Sequence, residues 1–147
     1  MSQPQVLVAN SDGARRDALA GILVQCGLRP LIANNMREVC ALLAQHPVDA
    51  VFCEDCLPQG GFRQVLELTK ATRSRVPLVV CSRLGELDQY LEAMHLGAFD
   101  FIVAPFRRDE VVFIINALRR SHLPKGAGGS PSYPQGGAVV QDVRVVA

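Results

Sequence analysis

Tryptophan is absent from this chain of 147 residues, histidine occurs three times, and positive charges exceed negative ones by one. So even a balance gives no reason to expect nucleic acid or an anionic membrane as partner. No apolar stretch approaches the ~20 residues that a membrane span requires. The opening Met-Ser-Gln-Pro-Gln lacks the basic and then apolar pattern of a secretory leader. His46, His95 and His122 stand singly, so no Ser–His–Asp arrangement can be assembled from them. The five cysteines, Cys26, Cys40, Cys53, Cys56 and Cys81, are an odd set lying mostly inside apolar segments. They read as reduced thiols, and a cytoplasmic location is expected.

Several short signals point weakly elsewhere. Cys53-Glu54-Asp55-Cys56 has the spacing of a redox dithiol or of half a zinc site. A zinc site would need two more ligands, and redox dithiols open a helix, whereas Leu57-Pro58 follow here. A redox protein using Cys53 and Cys56 stays as an alternative. Gly60-Gly61 is too short to cradle phosphate and lacks the lysine of a P-loop. Arg107-Arg108 and Arg119-Arg120-Lys125 come without an aromatic platform, so direct nucleic-acid contact is not expected, nor is a membrane.

What the chain does have is strict alternation. Val6-Leu7-Val8-Ala9 is a short apolar run suited to a strand covered on both faces. Ala14, Ala18, Leu19, Ile22, Leu23 and Cys26 follow at helical spacing, with Ser11 or Asp12 as cap and Gly27 as stop. Leu31-Ile32-Ala33 is a second strand, and Met36, Val39 and Leu43 stripe a second helix ended by His46-Pro47. Residues 48–53 form a third strand, and Phe62, Val65, Leu66 and Thr69 mark a third helix. Residues 76–81 form a fourth strand, and Leu87, Leu91 and Met94 stripe a fourth helix that Gly97 ends. Residues 99–103 form a fifth strand, and Val111, Ile115 and Leu118 line a fifth helix. Asp109 and Glu110 suit that helix's positive end, as Arg119 and Arg120 suit its negative end. Five such units imply right-handed crossovers and a parallel sheet between two helical layers. After Leu123 a Gly, Pro and Ser-rich stretch reads as a linker, and residues 138–147 as a tail or an added strand. The expected division is a domain over 4–121 and a flexible segment over 122–147.

Ligands of open parallel sheets gather outside the carboxyl ends of the strands. Glu54 closes the third strand, Ser82 the fourth and Ala104-Pro105-Phe106 the fifth. These residues, with Leu57-Pro58 and Gly97-Ala98 in the same order, resemble the receiver domain of bacterial response regulators over roughly residues 4–121. The resemblance implies a flavodoxin-like (βα)5 sandwich with strand order 2-1-3-4-5. In that family an acidic pair and an aspartate hold magnesium, and the aspartate takes a phosphoryl group from a histidine kinase. A hydroxyl residue and a lysine bind the phosphoryl oxygens.

This sequence departs from that pattern. The acidic-pair positions fall on Asn10 and Ser11, with Asp12 next to them; the phosphoacceptor position falls on Glu54 and the lysine position on Ala104. Ser82 keeps a suitable hydroxyl. The expected role is therefore a degenerate receiver in a two-component or phosphorelay pathway, not an enzyme, working through protein–protein contact without phosphorylation or cofactor. Glu54 is read as a fixed negative group hydrogen-bonded to Ser82. The alternative is a register slip in which Asp12, Glu54 and Asp55 rebuild a magnesium cluster and Asp55 or Glu54 accepts phosphate. Against it, adjacent residues on an extended chain point in opposite directions. The resemblance places a partner face, with a possible homodimer, on the fourth helix, fifth strand and fifth helix: Arg83, Leu87, Tyr90, Leu91, Phe101, Arg107, Arg108 and Phe113. Phe101 stands at the switch aromatic, beside Ala104 and Pro105; lacking a hydroxyl, it is expected to stay buried in one state.

Overall fold

Residues 3–72 and 75–123 are described in the structure, a computed structural model; the segment expected as linker and tail lies outside them apart from His122 and Leu123. Five strands, β1 (Gln5–Ala9), β2 (Arg29–Ala33), β3 (Ala50–Glu54), β6 (Leu78–Ser82) and β7 (Asp100–Val103), form one parallel sheet in the order β2-β1-β3-β6-β7. That is the expected order, because β4 (Cys56–Leu57) and β5 (Gly60–Gly61) form a separate antiparallel hairpin after β3. The hairpin was not foreseen: its two-residue strands are too short for any periodicity to register.

Period-two alternation sorts the sheet residues into two cores. Val6, Val8, Ala50, Phe52, Val79, Cys81 and Ile102 face α1 (Gly13–Gln25) and α5 (Arg108–Ser121), which contribute Leu19, Leu23, Val111, Ile114, Ile115 and Leu118. Leu7, Ala9, Val51, Cys53, Leu78, Val80 and Phe101 face α2 (Met36–Gln45), α3 (Phe62–Ala71) and α4 (Leu87–His95). Strands buried on both faces need continuous apolar sequence, which β1, β3 and β6 have. The helices start where their caps allow. The Asp12 side chain, and not that of Ser11, accepts from the Arg15 backbone N–H, and Asn35 does the same for α2.

The fourth helix turns differently from its apolar stripe. Ala93 is buried, and Tyr90 and Met94 pack on the core, whereas Leu87 and Leu91 point outward. Aromatic packing decides the phase: the Tyr90 ring meets Phe101 edge-on at 5.6 Å. In α1, likewise, Ala14 and Ala18 are exposed and Leu19 and Leu23 carry the burial. Replacing Phe52, fully buried at the centre of β3, by Ala is expected to cost about 3–5 kcal/mol in urea unfolding. Leu87→Ala on the outward face is expected to stay within about 0.5 kcal/mol of the parent.

Candidate functional site

The carboxyl ends of β1, β3 and β6 bring together Asn10, Ser11, Glu54, Asp55 and Ser82. Alternation assigns their directions. Glu54 continues the register of Ala50 and Phe52 and so faces the α1 layer; Asp55 falls one residue further and faces the α4 layer.

Glu54 is buried, at 3% exposure. Its Oε1 accepts from Ser11 Oγ at 3.1 Å, and Arg15 Nη2 lies 3.3 Å from its Oε2. Arg15 also pairs with Asp12 at 3.5 Å, in the first turn of α1. Isolated charges are expensive to bury, so a carboxylate here requires a cation of this kind. Nothing in the sequence singled Arg15 out, since an arginine one turn into an amphipathic helix usually faces solvent. Its spacing of three from the capping Asp12 and its place behind the first strand were the available signals. Asn10 is also buried, and its Oδ1 accepts from the Asp12 backbone N–H at 2.8 Å.

The expected bond between Glu54 and Ser82 is not formed, and the sheet register is the reason. Glu54 stands opposite Cys81, so Ser82 lies one residue beyond and on the other face. Ser82 Oγ instead donates to Gln89 Oε1 at 2.6 Å and accepts from the Gly85 backbone N–H at 2.9 Å. Asp55 belongs to this second group. Its backbone N–H donates to the Cys81 carbonyl at 3.0 Å. Its Oδ1 accepts from Arg83 Nε at 3.0 Å and its Oδ2 from Gln89 Nε2 at 3.3 Å. The bond to Asp55 holds the Arg83 guanidinium proton above its ordinary affinity.

The cluster Asp12, Glu54 and Asp55 is therefore not assembled: Asp12 caps α1, and the other two face opposite layers. Among the described residues no three acidic, histidine or cysteine side chains converge to hold a metal ion. Cys53 and Cys56 are also separated, Cys53 buried and Cys56 exposed. Burial first, then the charges of Glu54 and Asp55, push the Cys53 thiol far above its ordinary 9.0, which removes the thiolate that dithiol chemistry uses.

Phe101 is 1% exposed, beneath Tyr90. The Ala104–Pro105 bond is cis. Arg83, Leu87, Leu91 and Arg107 are exposed, Tyr90 and Phe113 half-buried. Arg108 leaves the expected partner face: its Nε donates to Gln25 Oε1 at the end of α1, at 3.0 Å. A cavity of about 460 Å³ lined by Lys70, Arg75, Pro77, Phe99 and His122 lies at the opposite end of the sheet and includes none of these residues.

This sheet order, with polar side chains gathered at the carboxyl ends of its inner strands, defines a flavodoxin-like α/β domain. Residues 6–116 match the response regulator receiver domain, and the chain belongs to that family. An NtrX-like response regulator of Rickettsia bellii is 30% identical over 78% of this chain and 24% of its own length. The regulatory protein AtoC of Escherichia coli is 27% identical over 82% of this chain and 26% of its own. This chain thus spans about a quarter of the length of these curated relatives. The receiver domain of NtrX from Brucella abortus superposes with a TM-score of 0.71 at 25% identity, covering 79% of this chain and 98% of that one. The non-phosphorylated HemR receiver domain of Leptospira biflexa does so with a TM-score of 0.71 at 21% identity, over 89% and 100%. Receiver domains are signalling domains that interact with partner proteins such as histidine kinases, and in general they bind magnesium at an acidic pocket. No described helix is long and apolar enough to cross a membrane.

The residues here do not fit magnesium. The ion wants several hard oxygens, with one or two carboxylates among them. On the α1 side the Glu54 oxygens face a hydroxyl and a guanidinium, and the other carboxylate there, Asp12, caps the helix and pairs with the same guanidinium. The Asn10 carbonyl oxygen is taken by the turn into α1.

Arg15→Ala is expected to cost about 1–3 kcal/mol, because it strands a buried carboxylate. Glu54→Gln in that background is expected to restore part of the loss, and a double-mutant cycle in urea measures the coupling. The Arg15 backbone N–H, then the Arg15 charge, hold the Asp12 carboxyl below its ordinary 3.8. Asp12 therefore contributes stability that is complete above that ordinary value and is lost as pH falls through the lowered one. The gap in urea midpoint between wild type and Asp12→Asn is expected to stay constant from about pH 6 down to about pH 5 and to narrow as pH falls below about 4.

Proposed function

We propose that this receiver domain signals in the cytoplasm through protein–protein contact, without accepting a phosphoryl group and without a metal cofactor. The observation that carries the reading is Arg15, whose guanidinium is 3.3 Å from the buried Glu54 carboxylate. Phosphoryl transfer to a carboxylate needs an oxygen free to attack and cations that neutralise the phosphoryl charge. Both Glu54 oxygens are engaged, and Ala104 offers no amine at the end of β7. The Ser82 hydroxyl is committed to Gln89. Asp55 is no better placed as acceptor, since each of its oxygens already accepts a hydrogen bond, from Arg83 and from Gln89, and among the described residues no metal-binding group stands beside it.

The contact surface is α4 and the turn before it. Leu84, in the turn, is 73% exposed, and Leu87 and Leu91, four residues apart on one face of α4, are 58% and 54% exposed. An exposed apolar ridge of this kind favours a protein partner, and a second copy of the chain is one protein able to cover it. Tyr90, on the inner side of α4, packs edge-on against Phe101 and would hold the helix in one position. The test is intact mass spectrometry after incubation with magnesium and acetyl phosphate. No mass change is expected; a stoichiometric gain of one phosphoryl group, mapped to Glu54 or Asp55, overturns the proposal.

A further inference from the structure

Asp55 is a buried carboxylate that the α1-side ion pair does not use. We propose that it is the fixed anion of a latch that clamps the turn between β6 and α4, and with it the leucine ridge, against the carboxyl end of the sheet. The inference deepens the phosphorylation-independent reading and rests on it: an anion built into the chain holds this turn without any added group.

The contacts form a closed circuit. The Asp55 backbone is fixed by its N–H bond to the Cys81 carbonyl, which extends the pairing of β3 with β6 by one residue. One carboxylate oxygen holds Arg83, the first residue of the turn, and the other holds Gln89, in the first turn of α4. Gln89 passes the constraint to the Ser82 hydroxyl, which in turn takes the Gly85 N–H. Gly85 has φ +68°, and a Cβ there would stand 3.0 Å from both Val103 methyls, so the turn also lies flat on β7. Leu84 sits inside this circuit, and Leu87 and Leu91 follow it along α4. The three leucine side chains are largely exposed and hold nothing themselves. Tyr90, Ala93 and Met94 fix the body of α4 on the core, while the turn and the first residues of the helix are held by polar contacts that converge on one carboxylate.

Bonds to a charged acceptor are the stronger ones, and their loss should register in local opening before global unfolding. Hydrogen exchange of the full chain, read by mass spectrometry, tests this. In Asp55→Ala, segment 83–91 is expected to exchange at least roughly tenfold faster than in wild type, while β1 and α5 keep their protection. Arg83→Ala and Gln89→Ala are expected to give smaller increases in the same segment, and Glu54→Gln none there. Wild-type protection of 83–91 in Asp55→Ala overturns the latch. Should Asp55→Ala fail to fold, unchanged protection in both Arg83→Ala and Gln89→Ala overturns it equally. A phosphoryl gain in the wild-type chain, together with loosening in Asp55→Ala, would remove the phosphorylation-independent reading and leave the latch standing.

Discussion

A strand sends successive side chains to opposite faces, and at the end of β3 the two successive residues are both acidic. Neither carboxylate is left in water: Glu54 and Asp55 are both buried. Moving a carboxylate out of water costs several kcal/mol unless a cation or several donors go with it. Each helical layer must therefore supply its own compensation. On one face α1 supplies Arg15 and Ser11. On the other, the turn after β6 and the start of α4 supply Arg83 and Gln89. Most of the polar arrangement at this end of the sheet follows from that division.

The register of β3 against β6 completes it. Because Glu54 pairs with Cys81, the hydroxyl of Ser82 belongs to the Asp55 side. The carboxyl end of the sheet thus carries two ion-paired groups rather than one shared pocket. A shared pocket would let one incoming charge act on both helical layers. Two separate groups, each already neutralised, leave a newly arriving cation or anion little to gain. This is also why the family's magnesium finds no fit: the carboxylates on the α1 side, Glu54 and Asp12, already share one guanidinium.

The order of strands and helices was legible because both signals are strong: continuous apolar runs for the strands, and caps or stops such as Asp12, Gly27 and His46-Pro47 for the helices. Glu54 and Ser82 were also found, since both lie at strand ends. Their partners were not. A bond between them looked natural while the register was unknown, and one residue of offset turns them apart. Arg15 and Gln89 have the composition of ordinary helix surface, and only the folded chain brings them to a buried carboxylate. The phase of α4 misled for a related reason. Leu87, Leu91 and Met94 are its most apolar residues, but the space above Phe101 is filled by the Tyr90 ring, and that turns both leucines to solvent.

A tethered cation differs from a bound one in a way that bears on signalling. A metal ion exchanges with solution, and its occupancy can answer to phosphate or to concentration. A guanidinium stays charged throughout the physiological range and cannot leave, so the Arg15–Glu54 pair has one occupancy. Asp55 has the same character toward Arg83 and Gln89, since both partners and acceptor are covalently part of the chain. A ligand shifts an equilibrium only by its differential affinity for two states, and such pairs leave few differences for a small ion to exploit. What can still discriminate between states is the surface that these pairs hold in place. Leu84, Leu87 and Leu91 leave most of their surface in solvent, so a protein that covers them gains apolar burial without first breaking either ion pair.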